Sequence, residues 1–162
     1  MSASAAGSSC ACGDGRSSGR VAAAQVLVRN IVRENRKGGI AIAGQACPVL
    51  EGNDVSDNLL HGVGVRGSTR PVLLRCSLIG NEMCGVLVQD TAMAVVEECR
   101  IEGNRQGGIC STCESSTRLV SNRIFAGSAA QQPIGVVVRS RSHSVLEKVG
   151  PLLCTEKGRP PA

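Results

Sequence analysis

Four Gly-apolar pairs stand 23 residues apart in this chain, at Gly39-Ile40, Gly62-Val63, Gly85-Val86 and Gly108-Ile109. Two polar columns keep the same step: Asn35, Asn58, Asn81 and Asn104, and Asn30, Asn53, Cys76, Cys99 and Asn122. A fixed period over most of a chain defines a repeat architecture, in which each unit buries its apolar face only by stacking on its neighbours. The chain divides into coils at 24–46, 47–69, 70–92, 93–115 and 116–142, and a partial sixth begins at His143. The fifth coil carries four extra residues near Ser128 to Gln132, after which Gly135 resumes the glycine column.

The apolar columns predict which side chains point inward. One reads Leu27, Leu50, Leu73, Val96, Leu119, Leu146, and a second reads Val32, Val55, Leu78, Ile101, Ile124. Two more follow the glycine: Ile40, Val63, Val86, Ile109, Val136, and Ile42, Val65, Val88, Ser111, Val138. These last two are two residues apart, the period of a strand with one buried face, so Ala41, Gly64, Leu87, Cys110 and Val137 between them point outward. No coil has room for a helix, since glycine interrupts every candidate stretch. The expected fold is all-β: a single-stranded parallel β-solenoid of five to six coils, occupying 21–153. At ~4.8 Å per coil this makes a rod roughly 25 Å long. Residues 1–20 and 154–162 read as disordered, being low in complexity or polar and Pro-rich.

The polar columns then acquire structural roles. Asn35, Asn58, Asn81 and Asn104 precede the glycine by four residues, where the chain must turn, and Asn tolerates the left-handed conformation; Gly127 stands there in the fifth coil. Asn30, Asn53 and Asn122 are expected to stack amide on amide inside a turn, with Cys76 and Cys99 as compact fillers.

Composition narrows the function. The 162 residues include no Trp, no Tyr and one Phe, so no aromatic platform exists for stacking on sugar rings. The net charge of +5 is spread through every repeat, which speaks against nucleic acid as a partner. No apolar run is long enough for a membrane span, and the N-terminus lacks a secretory signal's apolar core. An odd count of nine cysteines and the lack of an Asn-x-Ser/Thr acceptor predict free thiols and a cytoplasmic or nuclear setting.

The runs V-L-E-G-N-D-V-S-D-N-L-L-H-G-V-G-V at 49–65 and V-L-L-R-C-S-L-I-G-N-E-M-C-G-V-L-V at 72–88 resemble the pectate-lyase-type right-handed parallel β-helix repeat. Within that superfamily, Gln106-Gly107-Gly108-Ile109 and the turn from Gly67 to Leu73 are most similar to the β-helix of F-box substrate-adaptor proteins. The resemblance covers about residues 24–150 and implies a protein-recognition surface. It would also imply a link to a ubiquitin ligase, but no segment reads as the F-box that makes that link.

Many β-helices degrade polysaccharides, through clustered acids that hold Ca²⁺ or a facing carboxylate pair. Here no column collects three acids on neighbouring coils: Glu51, Glu97 and Glu147 share one that Leu74 and Val120 interrupt, and His61 and His143 have no acid beside them. The expectation is therefore no catalytic residue, with a carbohydrate-binding or carbohydrate-degrading β-helix as the alternative. Cys110-Ser111-Thr112-Cys113 is a lone C-x-x-C, near Cys84 one coil below; zinc needs four converging ligands, so no metal and no cofactor are expected. What remains is an exposed basic face, with Arg66 and Arg139 in one column and Arg70 and Arg141 on adjacent turns, which with the 128–133 insertion is the candidate surface for a protein partner. Neither end carries a capping helix, so the ends are open to end-to-end association of copies, or to continuation of a longer solenoid.

Overall fold

The computed structural model describes residues 9–10, 25–125 and 135–148. Every described coil is built from three short strands. After β1 (Ser9–Cys10) come β2 (Val26–Val28), β3 (Ile31–Arg33) and β4 (Ile40–Ile42); then β5 (Val49–Glu51), β6 (Asp54–Ser56) and β7 (Val63–Val65). The third coil contributes β8 (Val72–Leu74), β9 (Ser77–Ile79) and β10 (Cys84–Val88), and the fourth β11 (Met93–Glu97), β12 (Arg100–Glu102) and β13 (Gly107–Ser111). The fifth holds β14 (Ser116–Val120), β15 (Arg123–Phe125) and β16 (Val136–Val138), and β17 (His143–Glu147) opens a sixth.

Equivalent strands stack in parallel into three walls. Sheet 1 runs β1-β4-β7-β10-β13-β16, sheet 2 runs β2-β5-β8-β11-β14-β17, and sheet 3 runs β3-β6-β9-β12-β15. Register follows the 23-residue step, as in Ile40↔Val63, Leu50↔Leu73 and Val55↔Leu78. It survives the insertion, where Ile109 pairs with Val136 and Leu119 with Leu146. All four inward columns predicted from the sequence are therefore the ladder partners of the structure. Their central members, among them Leu50, Leu78, Val86 and Ile109, are fully buried in one continuous core. Parallel strands bonded on both edges satisfy their backbone groups coil by coil, and this permits a narrow core without large side chains.

The end coils are less covered. Val26 and Ile31 are 59% and 65% exposed at one end, and Val145 and Leu146 are 53% and 41% exposed at the other. Within the segment expected to be disordered, Ser9–Cys10 form a strand on the edge of sheet 1. The remainder of 1–20, the 128–132 insertion, Gly127 and the 154–162 tail lie outside the described residues.

The asparagine columns differ from expectation in an instructive way. The left-handed residue lies one position before each asparagine: Glu34 (φ 57°), Asp57 (53°), Gly80 (67°) and Gly103 (65°). The asparagines themselves are a second buried ladder. Asn81 Nδ2 donates to Asn104 Oδ1 at 2.9 Å and to the Val55 carbonyl at 3.1 Å, while its own Oδ1 accepts from the amide and side chain of Asn58 at 3.2 and 2.9 Å. The turn thus takes its φ from one residue and its polar interior from the next. The other ladder behaves alike, with Asn30 on Asn53 and Cys99 N–H on Asn122 Oδ1, both at 2.9 Å. Cys76 and Cys99 do more than fill space there. The Cys76 amide donates to Cys99 Sγ, and the thiols donate to the carbonyls of Leu50 and Leu73, the bonds that Asn would make at those points. The contact with Cys76 and burial both push the Cys99 thiol up, so it stays protonated.

Glycine recurs every 23 residues because two coils touch there. A Cβ on Gly85 would lie 2.8 Å from both the Gly108 carbonyl oxygen and Ile101 Cγ2, and one on Gly62 would lie 2.7 Å from the Gly85 oxygen. Real Cβ atoms do not approach so closely, and the obstacle is the next coil's backbone. The column is selected by proximity, and Gly39, Gly62, Gly85, Gly108 and Gly135 form its steps.

Candidate functional site

The outer face of sheet 1 is where the wall stops being regular. An exposed sheet face is ordinarily polar, yet the outward column passes from Ala41 and Gly64 to Leu87, Cys110 and Val137. Cys84, Cys110 and Val137 are only 2%, 8% and 7% exposed, and with Leu87 they form an apolar cluster separate from the core. Above it lies a trough of about 550 Å³.

The floor is pinned covalently. Cys84 and Cys110 form a disulfide between neighbouring coils, with Cα atoms 6.3 Å apart. This corrects the expectation of free thiols at the C-x-x-C corner. Strand pairing places Cys84 opposite Gly107 and Leu87 opposite Cys110, so the bond runs diagonally across the ladder. Cys113, the other cysteine of that motif, is a free and exposed thiol at a turn with φ 64°. Cys76 and Cys99 remain free in the core. The expectation of free thiols thus fits Cys76 and Cys99 but not Cys84 and Cys110.

Two rims border this floor. On the side where the chain enters the strands stand His61, Met83, Arg105 and Gln106. His61 Nδ1 accepts the Cys84 amide at 3.2 Å, which assigns the ring proton of the neutral imidazole to Nε2. Burial, and then the nearby Arg66 guanidinium, hold its pKa below the ordinary histidine value. Arg105 pairs with Glu82 at 2.9 Å, so this rim is close to neutral.

On the exit side the rim is Gln89, Thr112 and Arg139, each the residue that follows an inward side chain of sheet 1. Arg66 continues the same column one coil below Gln89, since Gln89 N–H donates to Val65 O at 3.0 Å. Arg66 and Arg139, singled out from the sequence, thus lie on one line beside the trough. Both are exposed, and neither has an ion-pair partner among the described residues. Arg70 and Arg141 are not brought together with them. Arg70 lies past the next turn, bonded through its amide to Ala46 O, and Arg141 faces Glu114 at 3.5 Å.

Sequence reading missed Leu87, Cys84, Val137, Met83 and His61 as parts of one surface. The available signal was the outward column itself, which becomes bulky and apolar in the third coil where a solvated wall calls for polar residues.

The remaining charges are arranged differently. Glu51 and Glu98 share Arg75, Glu102 meets Arg100, and Glu147 meets Arg118, all at exposed positions on sheets 2 and 3 or their turns. The one aromatic ring, Phe125, lies on sheet 3 with the Arg123 guanidinium 5.7 Å from its centre.

Residues 6–148 match the family described as right handed beta helix region, and the chain belongs to that family. The match establishes a right-handed parallel β-helix and begins inside the N-terminal segment read as disordered. No curated protein and no solved structure matches the chain.

Proposed function

We propose that this β-helix is a non-catalytic recognition module that holds a protein partner against the outer face of sheet 1. The observation that carries the reading is the trough: an apolar floor of Leu87, Val137 and the Cys84–Cys110 disulfide, enclosed by polar rims on a wall that is otherwise narrow and solvated. A buried apolar centre with a polar border is the anatomy of a protein-binding patch. The acids support the non-catalytic side of the reading. Glu82, beside the trough, is engaged by Arg105, and most other glutamates of the walls face arginines as well. Such pairs suit a soluble exterior better than a general acid or a Ca²⁺ cradle, which needs acids free to act.

A carbohydrate ligand finds less support, because the single aromatic ring lies on sheet 3, away from the trough. Coupling to a ubiquitin ligase rests on the family resemblance alone and is not part of the proposal. End-to-end pairing of copies would use a different surface, the exposed apolar ends around Val26, Ile31, Val145 and Leu146.

The test is a quantitative pull-down from native lysate with the intact chain and with Arg66→Glu/Arg139→Glu. We expect a saturable protein partner that the double variant loses. A partner retained in full by the double variant would reject this face, and retention of polysaccharide in place of protein would reject the class.

A further inference from the structure

The exit-side rim has a spacing that selects the shape of its ligand. The amides of Arg66, Gln89, Thr112 and Arg139 donate to the carbonyls of Ile42, Val65, Val88 and Ser111 at 3.0, 3.0, 2.9 and 2.9 Å, so the four residues share one parallel register. From Arg66 to Arg139 is three coil steps, about 14 Å at the spacing of neighbouring strands. The ends of this line are guanidiniums without ion-pair partners among the described residues, and its middle is neutral and polar. Beside the middle lies the apolar floor.

An extended polypeptide advances ~3.4 Å per residue with alternate side chains on one side. Residues i and i+4 therefore face the same way about 14 Å apart, the spacing of the backbone positions that carry Arg66 and Arg139. A helix covers only about 6 Å over the same four residues, so its two acids would have to stand about nine positions apart, and the i,i+4 spacing belongs to an extended chain alone. Guanidinium binds carboxylate through paired, charge-assisted hydrogen bonds, so two discrete carboxylates are the matching groups. A continuous polyanion fits less well: the middle of the line has no cation to meet its charges, and Asp90 stands exposed on the turn next to Gln89.

We propose that this face binds an extended acidic peptide segment running along the solenoid axis, with acidic side chains at i and i+4 on Arg66 and Arg139 and apolar side chains between them over Leu87, the disulfide and Val137. The proposal rests on the protein-recognition reading above and adds the chemistry and spacing of what is recognised.

Fluorescence anisotropy on the purified, oxidised full chain tests it. The probes are labelled ten-residue peptides carrying two Asp in a Val/Ala/Ser background, at spacings of two, four and six, plus the spacing-four peptide with both Asp replaced by Asn. Oligogalacturonate and a heparin fragment serve as polyanion competitors. The spacing-four peptide should bind roughly tenfold more tightly than the others, and Arg66→Gln or Arg139→Gln should each remove about that factor, as expected for one charge-assisted pair. The variants must keep the parent's circular dichroism and Tm. Equal affinity across spacings, or for the Asn peptide, overturns the proposal. If the pull-down partner is nonetheless lost in the Arg66→Glu/Arg139→Glu chain, the recognition reading stands and only the ligand class falls. Tighter binding of either polyanion than of any peptide overturns both.

Discussion

At the scale of single residues, the fold depends on polar side chains that have almost no solvent contact. Asn81 is fully buried and has all its hydrogen-bonding groups engaged, by Asn58, Asn104 and Val55. Replacing it with an apolar residue of similar size leaves the Asn58 amide N–H without its acceptor, takes one of the two acceptors from Asn58 Nδ2, which keeps the Val32 carbonyl, and removes the side-chain donor to Val55 and Asn104. At roughly 1–3 kcal/mol for each orphaned group, Asn81→Leu should cost about 3 kcal/mol or more. Urea unfolding of the variant beside Asn30→Leu checks this, since Asn30 is exposed at the end of its ladder and its loss should cost far less. His61 gives the chain a pH dependence of known sign. Its folded pKa lies below its unfolded value near 6.5, so the unfolded chain takes up the proton first as pH falls. Its contribution is fully present above pH 6.5 and is lost as pH drops through the folded pKa. Tm should therefore decline between pH 7 and pH 5, and His61→Gln, which keeps an acceptor for the Cys84 amide, should flatten that decline. A slope unchanged by His61→Gln would place the titration elsewhere.

At the scale of strands and turns, the inward faces were legible because a solenoid core is one-dimensional. A side chain that points in must meet its equivalent 23 residues away, so spacing alone gives register. The turns were half legible. Buried asparagine declares itself as a polar residue in a fixed column, but the backbone that turns belongs to Glu34 and Asp57, which look like ordinary surface residues. The disulfide was not legible from spacing. It joins residues 26 apart, three off the repeat, and reading by columns pairs Cys84 with Gly107 and Cys110 with Leu87. Closing a loop of that length stabilises a chain by about 3 kcal/mol, mostly through the unfolded state. Cys84→Ser/Cys110→Ser should lower the unfolding free energy by that amount in guanidinium titration, with far-UV circular dichroism unchanged, because the strand ladder between β10 and β13 persists without the bond.

At the scale of the whole molecule, three walls of similar construction differ in what they offer. Sheets 2 and 3 carry arginine–glutamate pairs outward, which contribute little to stability, and sheet 2 also turns a row of valines outward, with Val49, Val72 and Val95 half-buried. Sheet 1 combines a nearly enclosed apolar floor with two guanidiniums, Arg66 and Arg139, that have no ion-pair partner among the described residues. The sequence identified Arg66 and Arg139 but not the floor, since the latter is made by packing between outward residues of adjacent coils. The most direct test compares the walls in one experiment. A photo-crosslinking side chain is placed at position 87 on sheet 1, at 95 on sheet 2 or at 102 on sheet 3, and each chain is irradiated in native lysate. A protein adduct from position 87 and none from 95 or 102 is the predicted result. Adducts from 95 or 102 with none from 87 would contradict it.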